Sequence, residues 1–182
     1  IYSNAHALAR YASLCQESGI VPIVEPEVLM DGTHTIETCY EVTKRTLNIV
    51  FEQLMMHQVI LEGIVLKPNM IISALECNIQ ADVDKVSELT FKCLKDNVPS
   101  DVSGIAFLSG GQSSDLAVAH LNKINEKYRD DMPWNVTFSY GRALQEDALK
   151  AWGGSNRAAG QEALLLRAKA NSLATKGMSL DT

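Results

Sequence analysis

Apolar residues recur along this chain in two alternating patterns, helical spacing and short continuous runs. Helical spacing predicts a first helix that is capped by Asn4 and ends at Gly19, and further helices that begin near residues 36, 82, 113, 142 and 158. Apolar runs over residues 20–25, 61–67, 104–109 and 136–139 predict short strands. The chain is therefore predicted to form a helix, then four strand–helix units, then a last helix.

The predicted strands are apolar throughout, which is typical of parallel strands buried beneath helices and indicates an α/β fold. A flat doubly wound sheet and part of a (β/α)₈ barrel both fit this order of elements. The polar residues favour the barrel, because every strand run ends in one: Glu25 and Glu27, Lys67, Ser109 and Ser139. Barrel active sites are built at these strand ends. We expect residues 1–182 to form one continuous part of a single barrel domain.

Composition narrows the class of function. The net charge of -6 and the pI near 5.2 argue against a nucleic-acid or anionic membrane surface, but leave room for a local phosphate pocket. No apolar run approaches the roughly 20 residues of a membrane span. The four cysteines form no CxxC pair and the four histidines lack ligand spacing, so we expect reduced thiols, no metal and an intracellular protein. The start at Ile1 instead of Met suggests a fragment or a processed product.

Lys67 is the first candidate for chemistry. It follows the apolar run 61–66, which penalises a charged ammonium and is expected to lower the lysine pKa. A neutral lysine is a nucleophile toward carbonyls. The alternative is a lysine whose stem packs on the sheet while its head reaches water, which is the commoner arrangement for an isolated strand-end lysine.

Glu25 and Glu27 lie two residues apart on a predicted strand and therefore share one face. Two neighbouring carboxylates do not both ionise cheaply. One should have a raised pKa that suits general acid/base catalysis, while the other stays ionised and holds a lysine or a hydroxyl. A solvated pair at the start of a loop remains the alternative.

Two strand-to-helix turns are rich in glycine. Ser109-Gly110-Gly111-Gln112-Ser113 can offer backbone N–H groups to an anion at a helix N-terminus. Ser139-Tyr140-Gly141-Arg142 repeats the arrangement one strand later, and Arg142 adds a planar cation suited to phosphate. Two such consecutive turns indicate a phosphate site.

These segments resemble class I fructose-1,6-bisphosphate aldolase, and the resemblance covers nearly the whole chain. The segments are residues 21–27, 61–70, 107–113 and 137–144, followed by Ala151-Trp152-Gly153-Gly154. The resemblance implies about the last four units of a (β/α)₈ (TIM) barrel. It implies that Lys67 forms a Schiff base, that Glu25 is the general acid/base and that Glu27 supports the lysine. It also implies that the substrate is bound by Leu108, Ser109, Gly110, Gly111, Ser139, Gly141 and Arg142.

The implied reaction is cleavage of fructose 1,6-bisphosphate, a phosphorylated sugar, to dihydroxyacetone phosphate and glyceraldehyde 3-phosphate. No cofactor is implied, the usual assembly is a homotetramer, and the location is the cytoplasm or a plastid. The family's first four strands and its tyrosine-ended tail have no counterpart here. One alternative is therefore a half-barrel that binds phosphate ligands without turnover. A doubly wound nucleotide binder would need its phosphate turn after the first strand, where Glu25-Pro26-Glu27 repels phosphate.

Overall fold

A computed structural model of the chain describes residues 1–179, in which helices and strands alternate as predicted. The strands are β1 (Ile23–Val24), β2 (Val65–Leu66), β3 (Gly104–Phe107) and β4 (Asn135–Phe138). The helices are α1 (Tyr2–Glu17), α2 (Ile36–Met56), α3 (Val83–Asn97), α4 (Ser114–Tyr128), α5 (Arg142–Trp152) and α6 (Arg157–Ala174). Short 3₁₀ turns cover Leu61–Gly63 and Arg129–Asp131.

The four strands form one parallel sheet in the order β1-β2-β3-β4. Strands that follow one another in space as they do in sequence are typical of a barrel, whereas a doubly wound sheet reverses its order at a switch point. The backbone ladder continues beyond the strands, since Lys67 N donates to Val24 O at 2.7 Å and Ser139 N donates to Phe107 O at 2.8 Å. The C-terminal ends of the strands therefore stay in register.

The two faces of the sheet differ. Val24, Leu66, Ile105 and Val136 lie side by side in the register and are buried beneath the helices. On the opposite face Ile23 is 47% exposed. On β3, in contrast, Ala106 lies on the same face as Ile23 and is only 6% exposed, so this face is open at β1 and covered at β3.

Side-chain caps fix the starts of α2, α3, α4 and α6, and those of α3 and α4 bear on the sequence analysis. Asp82 Oδ1 accepts a hydrogen bond from Lys85 N at 2.7 Å, and Ser113 Oγ accepts one from Leu116 N at 3.3 Å. Each bond satisfies a backbone donor that has no partner within the first helical turn. The predicted helix starts near residues 82 and 113 are confirmed.

The start of α1 was predicted incorrectly. The helix already begins at Tyr2, so Asn4 lies within it and caps nothing. Ala5 N donates to Ile1 O at 2.9 Å, which places Tyr2, Ser3 and Asn4 within the first helical turn. The end of α1 is confirmed, because Gly19 follows the last turn with a φ of 69°.

The strand predicted over residues 61–67 is shorter in the structure. The side chain of Gln16, on α1, binds both backbone groups of Ile60, accepting from its N–H at 2.9 Å and donating to its carbonyl at 2.8 Å. This contact closes a 3₁₀ turn over Leu61–Gly63. Sequence periodicity cannot reveal a partner that lies 44 residues away.

An irregular segment, residues 68–74, follows β2 and is buried along its whole length. Loops usually lie at the surface because their backbone polar groups need water. Here protein groups take the place of water: Thr90 Oγ1 accepts from Ile71 N at 2.9 Å, and Ala74 N donates to His34 O at 3.0 Å. The residues directly after Lys67 are therefore held within the core.

Asn69 joins this segment to the loop after β1. Its side chain is buried, with 2% of the residue exposed. Oδ1 accepts from Val28 N at 3.1 Å, while Nδ2 donates to Thr43 Oγ1 at 3.0 Å and to Met70 O at 3.1 Å. One amide thus sets the distance between the loop that carries Glu25 and the segment that follows Lys67.

We expect Asn69→Ala to lower the free energy of unfolding by about 1–3 kcal/mol, because it leaves buried backbone and hydroxyl groups without a partner. Urea titration of the full-length protein measures the change. Asn97→Ala is the matched control, since the Asn97 amide donates only to Cys93 O on its own helix; its cost should stay near ~0.5 kcal/mol. Equal losses of unfolding free energy in the two variants would contradict a bridging role for Asn69.

Candidate active site

The ends of β1 and β2 bring an amine and a carboxylate together. Lys67 Nζ lies 3.0 Å from Glu25 Oε1, and the two side chains are 19% and 41% exposed. Each residue directly follows the last residue of its strand, and strand alternation points both side chains to the open face of the sheet. The pair is thus reachable from solvent but rests on a fixed backbone.

Glu27 is exposed on the same loop, beyond the buried Pro26. Among the described residues Lys67 forms its ion pair with Glu25 and not with Glu27. Glu25 and Glu27 also line a cavity of about 560 Å³ between this loop, α1 and α2. The support that the resemblance assigns to Glu27 therefore stays a prediction.

The turn after β3 adopts a conformation that requires glycine. Gly110 and Gly111 have φ values of 58° and 76°, and Gln112 N donates to Ser109 O at 3.1 Å. A Cβ on Gly111 would lie 3.1 Å from Leu75 Cδ1, so a larger residue would also crowd its neighbour. The Leu108 side chain is buried, which leaves its backbone as the part of this residue that faces the turn.

Two further side chains that the sequence reading did not single out hold this turn from within. Gln112 Nε2 donates to Ser109 O at 2.9 Å, and His120 Nδ1 lies 2.5 Å from Gln112 Oε1. Burial lowers the pKa of His120 to about 4. A neutral histidine on α4 therefore supports the turn that leads into that helix.

The turn after β4 is also tied to α4. Tyr140 is buried, its hydroxyl donates to Ala117 O at 3.1 Å, and burial raises the pKa of this hydroxyl. Gly141 then precedes α5 without a side-chain cap, so the first N–H groups of the helix remain available to an anion. Arg142 opens α5, is exposed, and takes part in none of the ion pairs found within residues 1–179.

All of these groups lie at one edge, because the strands are parallel and in register. The edge combines an amine beside a carboxylate with two successive turns suited to anions. Such a combination fits chemistry on the carbonyl of a phosphorylated compound.

Other kinds of site find little support in the described part of the chain. Residues 1–179 contain no cluster of three or more His, Cys, Asp or Glu side chains arranged to hold a metal ion. Cys15, Cys39, Cys77 and Cys93 are all free thiols, as expected. None of the helices in this range has the length and apolar character needed to cross a membrane.

Comparison with known proteins bears directly on this site. The sequence profile of the family "Fructose-bisphosphate aldolase class-I" matches residues 1–181. A probable fructose-bisphosphate aldolase class 1 from Xanthomonas campestris is 52% identical over 180 residues, which are 97% of this chain and 53% of that protein. The cytosolic fructose-bisphosphate aldolase 4 of Arabidopsis thaliana is 50% identical over 179 residues, 97% of this chain and 45% of that protein.

A solved structure of an aldolase has the same fold as this chain. The fructose-bisphosphate aldolase of Plasmodium falciparum, in a complex with TRAP and a small-molecule inhibitor, superposes with a TM-score of 0.94 at 48% identity. The match covers 100% of this chain and 52% of that one. The chain thus spans about half the length of these relatives, and its open sheet corresponds to part of their α/β barrel. On sequence and on fold, the chain belongs to the class I fructose-bisphosphate aldolase family.

Proposed function

We propose that the full-length protein containing this chain is a lyase that cleaves fructose 1,6-bisphosphate through a Schiff base on Lys67. The observation that carries the proposal is the contact of 3.0 Å between Lys67 Nζ and Glu25 Oε1. A lysine must lose a proton before it can attack a carbonyl, and a carboxylate at hydrogen-bond distance can accept that proton.

The first half of the reaction uses this pair. Lys67 Nζ attacks the ketone carbon of the sugar, and a proton passes from the newly bonded nitrogen to the carbonyl oxygen to give a carbinolamine. Glu25, carrying the proton it has received, returns it to the hydroxyl, which leaves as water. The product is an iminium ion that draws electrons from the adjacent carbon.

Cleavage follows from that electron demand. A base removes the proton of the C4 hydroxyl, the C3–C4 bond breaks, and its electron pair forms an enamine with the iminium carbon. Glyceraldehyde 3-phosphate leaves. Protonation of the enamine at C3 restores the iminium, and water then releases dihydroxyacetone phosphate and the free Lys67 amine.

The turns after β3 and β4 are proposed to hold substrate phosphate. Ser109, Gly110 and Gly111 supply backbone and hydroxyl donors from one turn, with Leu108 contributing through its backbone. Ser139, Gly141 and Arg142 supply the second set at the uncapped start of α5. Fixed phosphate contacts would hold the carbonyl against Lys67, so that binding energy serves to orient the reacting atoms.

The metabolic role, the oligomeric state and the cellular location are inferred from the family. We infer a role in glycolysis and gluconeogenesis, a homotetramer, and a cytosolic location. The names of relatives support the location: the Arabidopsis thaliana protein is called cytosolic, and a Pisum sativum relative at 50% identity is called a cytoplasmic isozyme. The alternative of a binding protein without turnover is not favoured, since relatives at about 50% identity are named as aldolases.

Borohydride reduction in the presence of dihydroxyacetone phosphate tests the proposal. In the full-length protein we expect a reduced adduct on Lys67, located by peptide mass spectrometry, because only an amine forms a reducible iminium. Lys67→Arg should abolish the adduct, since a guanidinium stays protonated. Lys85→Arg is the control, because Lys85 pairs with Glu88 on the outer helix α3. An adduct on any other lysine would falsify the assignment.

Arg142→Ala tests the phosphate site. We expect it to weaken trapping with dihydroxyacetone phosphate by roughly 10- to 100-fold, the equivalent of one charge-assisted hydrogen bond. Trapping with unphosphorylated dihydroxyacetone should change little. Arg157→Ala, at the exposed first turn of α6, provides the comparison. If Arg142→Ala weakens trapping equally for both ligands, this residue does not bind phosphate.

Residues 1–182 expressed alone should be prone to aggregation and should not cleave fructose 1,6-bisphosphate. The four strands have two open edges and a face that is open at β1, and unpaired edges promote association. Coupled detection of triose phosphates and size-exclusion chromatography measure the two properties. Co-expression with a segment that carries the family's other strands should restore both solubility and cleavage. A soluble monomer with near-full turnover would show that the site is complete within these residues.

A further inference from the structure

A buried row of polar groups leads from the middle of α4 to the turn after β3. His120 and Gln112 are 4% and 9% exposed. His120 Nδ1 lies 2.5 Å from Gln112 Oε1, and Gln112 Nε2 lies 2.9 Å from Ser109 O. We propose that His120 and Gln112 are positioning residues that orient the Ser109–Gly110 peptide for phosphate and so help to select phosphorylated substrates. This inference rests on the proposed function.

The orientation of the Gln112 amide follows from its two partners. Its nitrogen must donate to the Ser109 carbonyl, so its oxygen faces the imidazole and needs a donor there. His120 supplies that donor when its proton is on Nδ1. Nε2, which has no partner among the described residues, then carries only a lone pair. The row therefore has one consistent direction of donation, from His120 through Gln112 to Ser109.

The protonation state of His120 agrees with this arrangement. Burial lowers its pKa to about 4, so the ring is neutral at physiological pH. Burial is the cause of this shift, and the group that faces Nδ1, the Gln112 amide, is uncharged. A neutral ring carries one proton, and the Gln112 oxygen opposite Nδ1 favours the tautomer that holds it there. That tautomer keeps the Gln112 amide from flipping.

The consequence for phosphate lies in peptide geometry. Ser109 O accepts two hydrogen bonds, from Gln112 N at 3.1 Å and from Gln112 Nε2 at 2.9 Å. In a planar trans peptide the N–H points opposite to the C=O. Holding the Ser109 carbonyl inward therefore turns the Gly110 N–H outward, away from Gln112 and toward an incoming anion. A donor fixed before binding loses little entropy when the ligand arrives.

The same amide also contacts the segment that follows the nucleophile. Gln112 Nε2 lies 3.7 Å from Met70 Sδ, three residues after Lys67. Displacement of the Gln112 side chain would therefore disturb the phosphate turn and the packing behind Lys67 together. Specificity for phosphorylated ligands should then depend on residues that never touch the ligand.

The test compares reductive trapping with dihydroxyacetone phosphate and with dihydroxyacetone in the full-length protein. His120→Leu and Gln112→Met should each reduce the preference for the phosphorylated ligand by at least about tenfold, the effect of losing one well-oriented hydrogen bond. His120→Asn retains an N–H donor and should recover most of the preference. Gln112→Met preserves side-chain volume, so it reports on the turn even if His120→Leu fails to fold.

Asn125→Ala is the control for a purely structural effect. Asn125 is buried on the same helix, but its amide donates only to Leu121 O. It should lower the melting temperature without altering the ratio of the two trapping rates. An unchanged ratio in both His120→Leu and Gln112→Met, or in Gln112→Met alone if His120→Leu does not fold, would overturn the inference.

The outcome is separable from that of the proposed function. If the unsubstituted protein gives no adduct on Lys67, the proposed Schiff-base function fails. If it gives the adduct, and Arg142→Ala shows selective loss for the phosphorylated ligand while Gln112→Met does not, only the positioning role of Gln112 and His120 is refuted.

Discussion

The candidate site depends on one constraint, the backbone ladder of the parallel sheet, which continues past the ends of its short strands. Lys67 N binds Val24 O, Leu108 N binds Pro68 O, and Ser139 N binds Phe107 O. Neighbouring strands lie about 4.8 Å apart, so these bonds place the chain segments after each strand in one row. A slip of one residue would turn Lys67 toward the helices and bring Leu66 to the open face.

Behind this row, buried polar side chains determine how each segment leaves its strand. Asn69 links the loops after β1 and β2, Gln112 holds the turn after β3, and Tyr140 ties the turn after β4 to α4. All three bind backbone groups, and all are shielded from water, where such bonds are strongest. The groups that would meet the substrate are therefore supported by residues that lie outside its reach, as preorganised sites require.

Much of the fold and of the candidate site could be predicted from the sequence. The order of elements, the helix starts near residues 82 and 113, and the position of polar residues at strand ends all depend on local pattern, and the structure agrees with them. The errors have separate causes. Gln16 binds Ile60 directly ahead of the 3₁₀ turn that takes the place of the start of a predicted strand. The helix α1 begins before Asn4 because a backbone bond from Ala5 N to Ile1 O forms an earlier turn.

The supporting residues escaped the sequence reading because their contacts appear only in the folded chain. Asn69 and Val28 are 41 residues apart, and only the fold brings them together. His120 lies two helical turns beyond Gln112, a spacing that is equally common for side chains with no shared role. The exposure of one sheet face at β1 could not be read from the strands either, because apolar composition indicates that a face needs burial but does not indicate what buries it.

The buried segment after β2 sets a limit on how this fold could be redesigned. Barrel enzymes are commonly re-engineered by exchanging or lengthening the loops at the C-terminal ends of their strands, since most of these loops are solvent-exposed. Residues 68–74 are not such a loop, because their backbone is bonded to other buried parts of the protein: Ile71 N donates to Thr90 Oγ1, and Pro68 O accepts from Leu108 N. An insertion there would leave those polar groups unpaired. Changes of ligand specificity that spare this segment would fall on exposed side chains at the strand ends, such as Arg142.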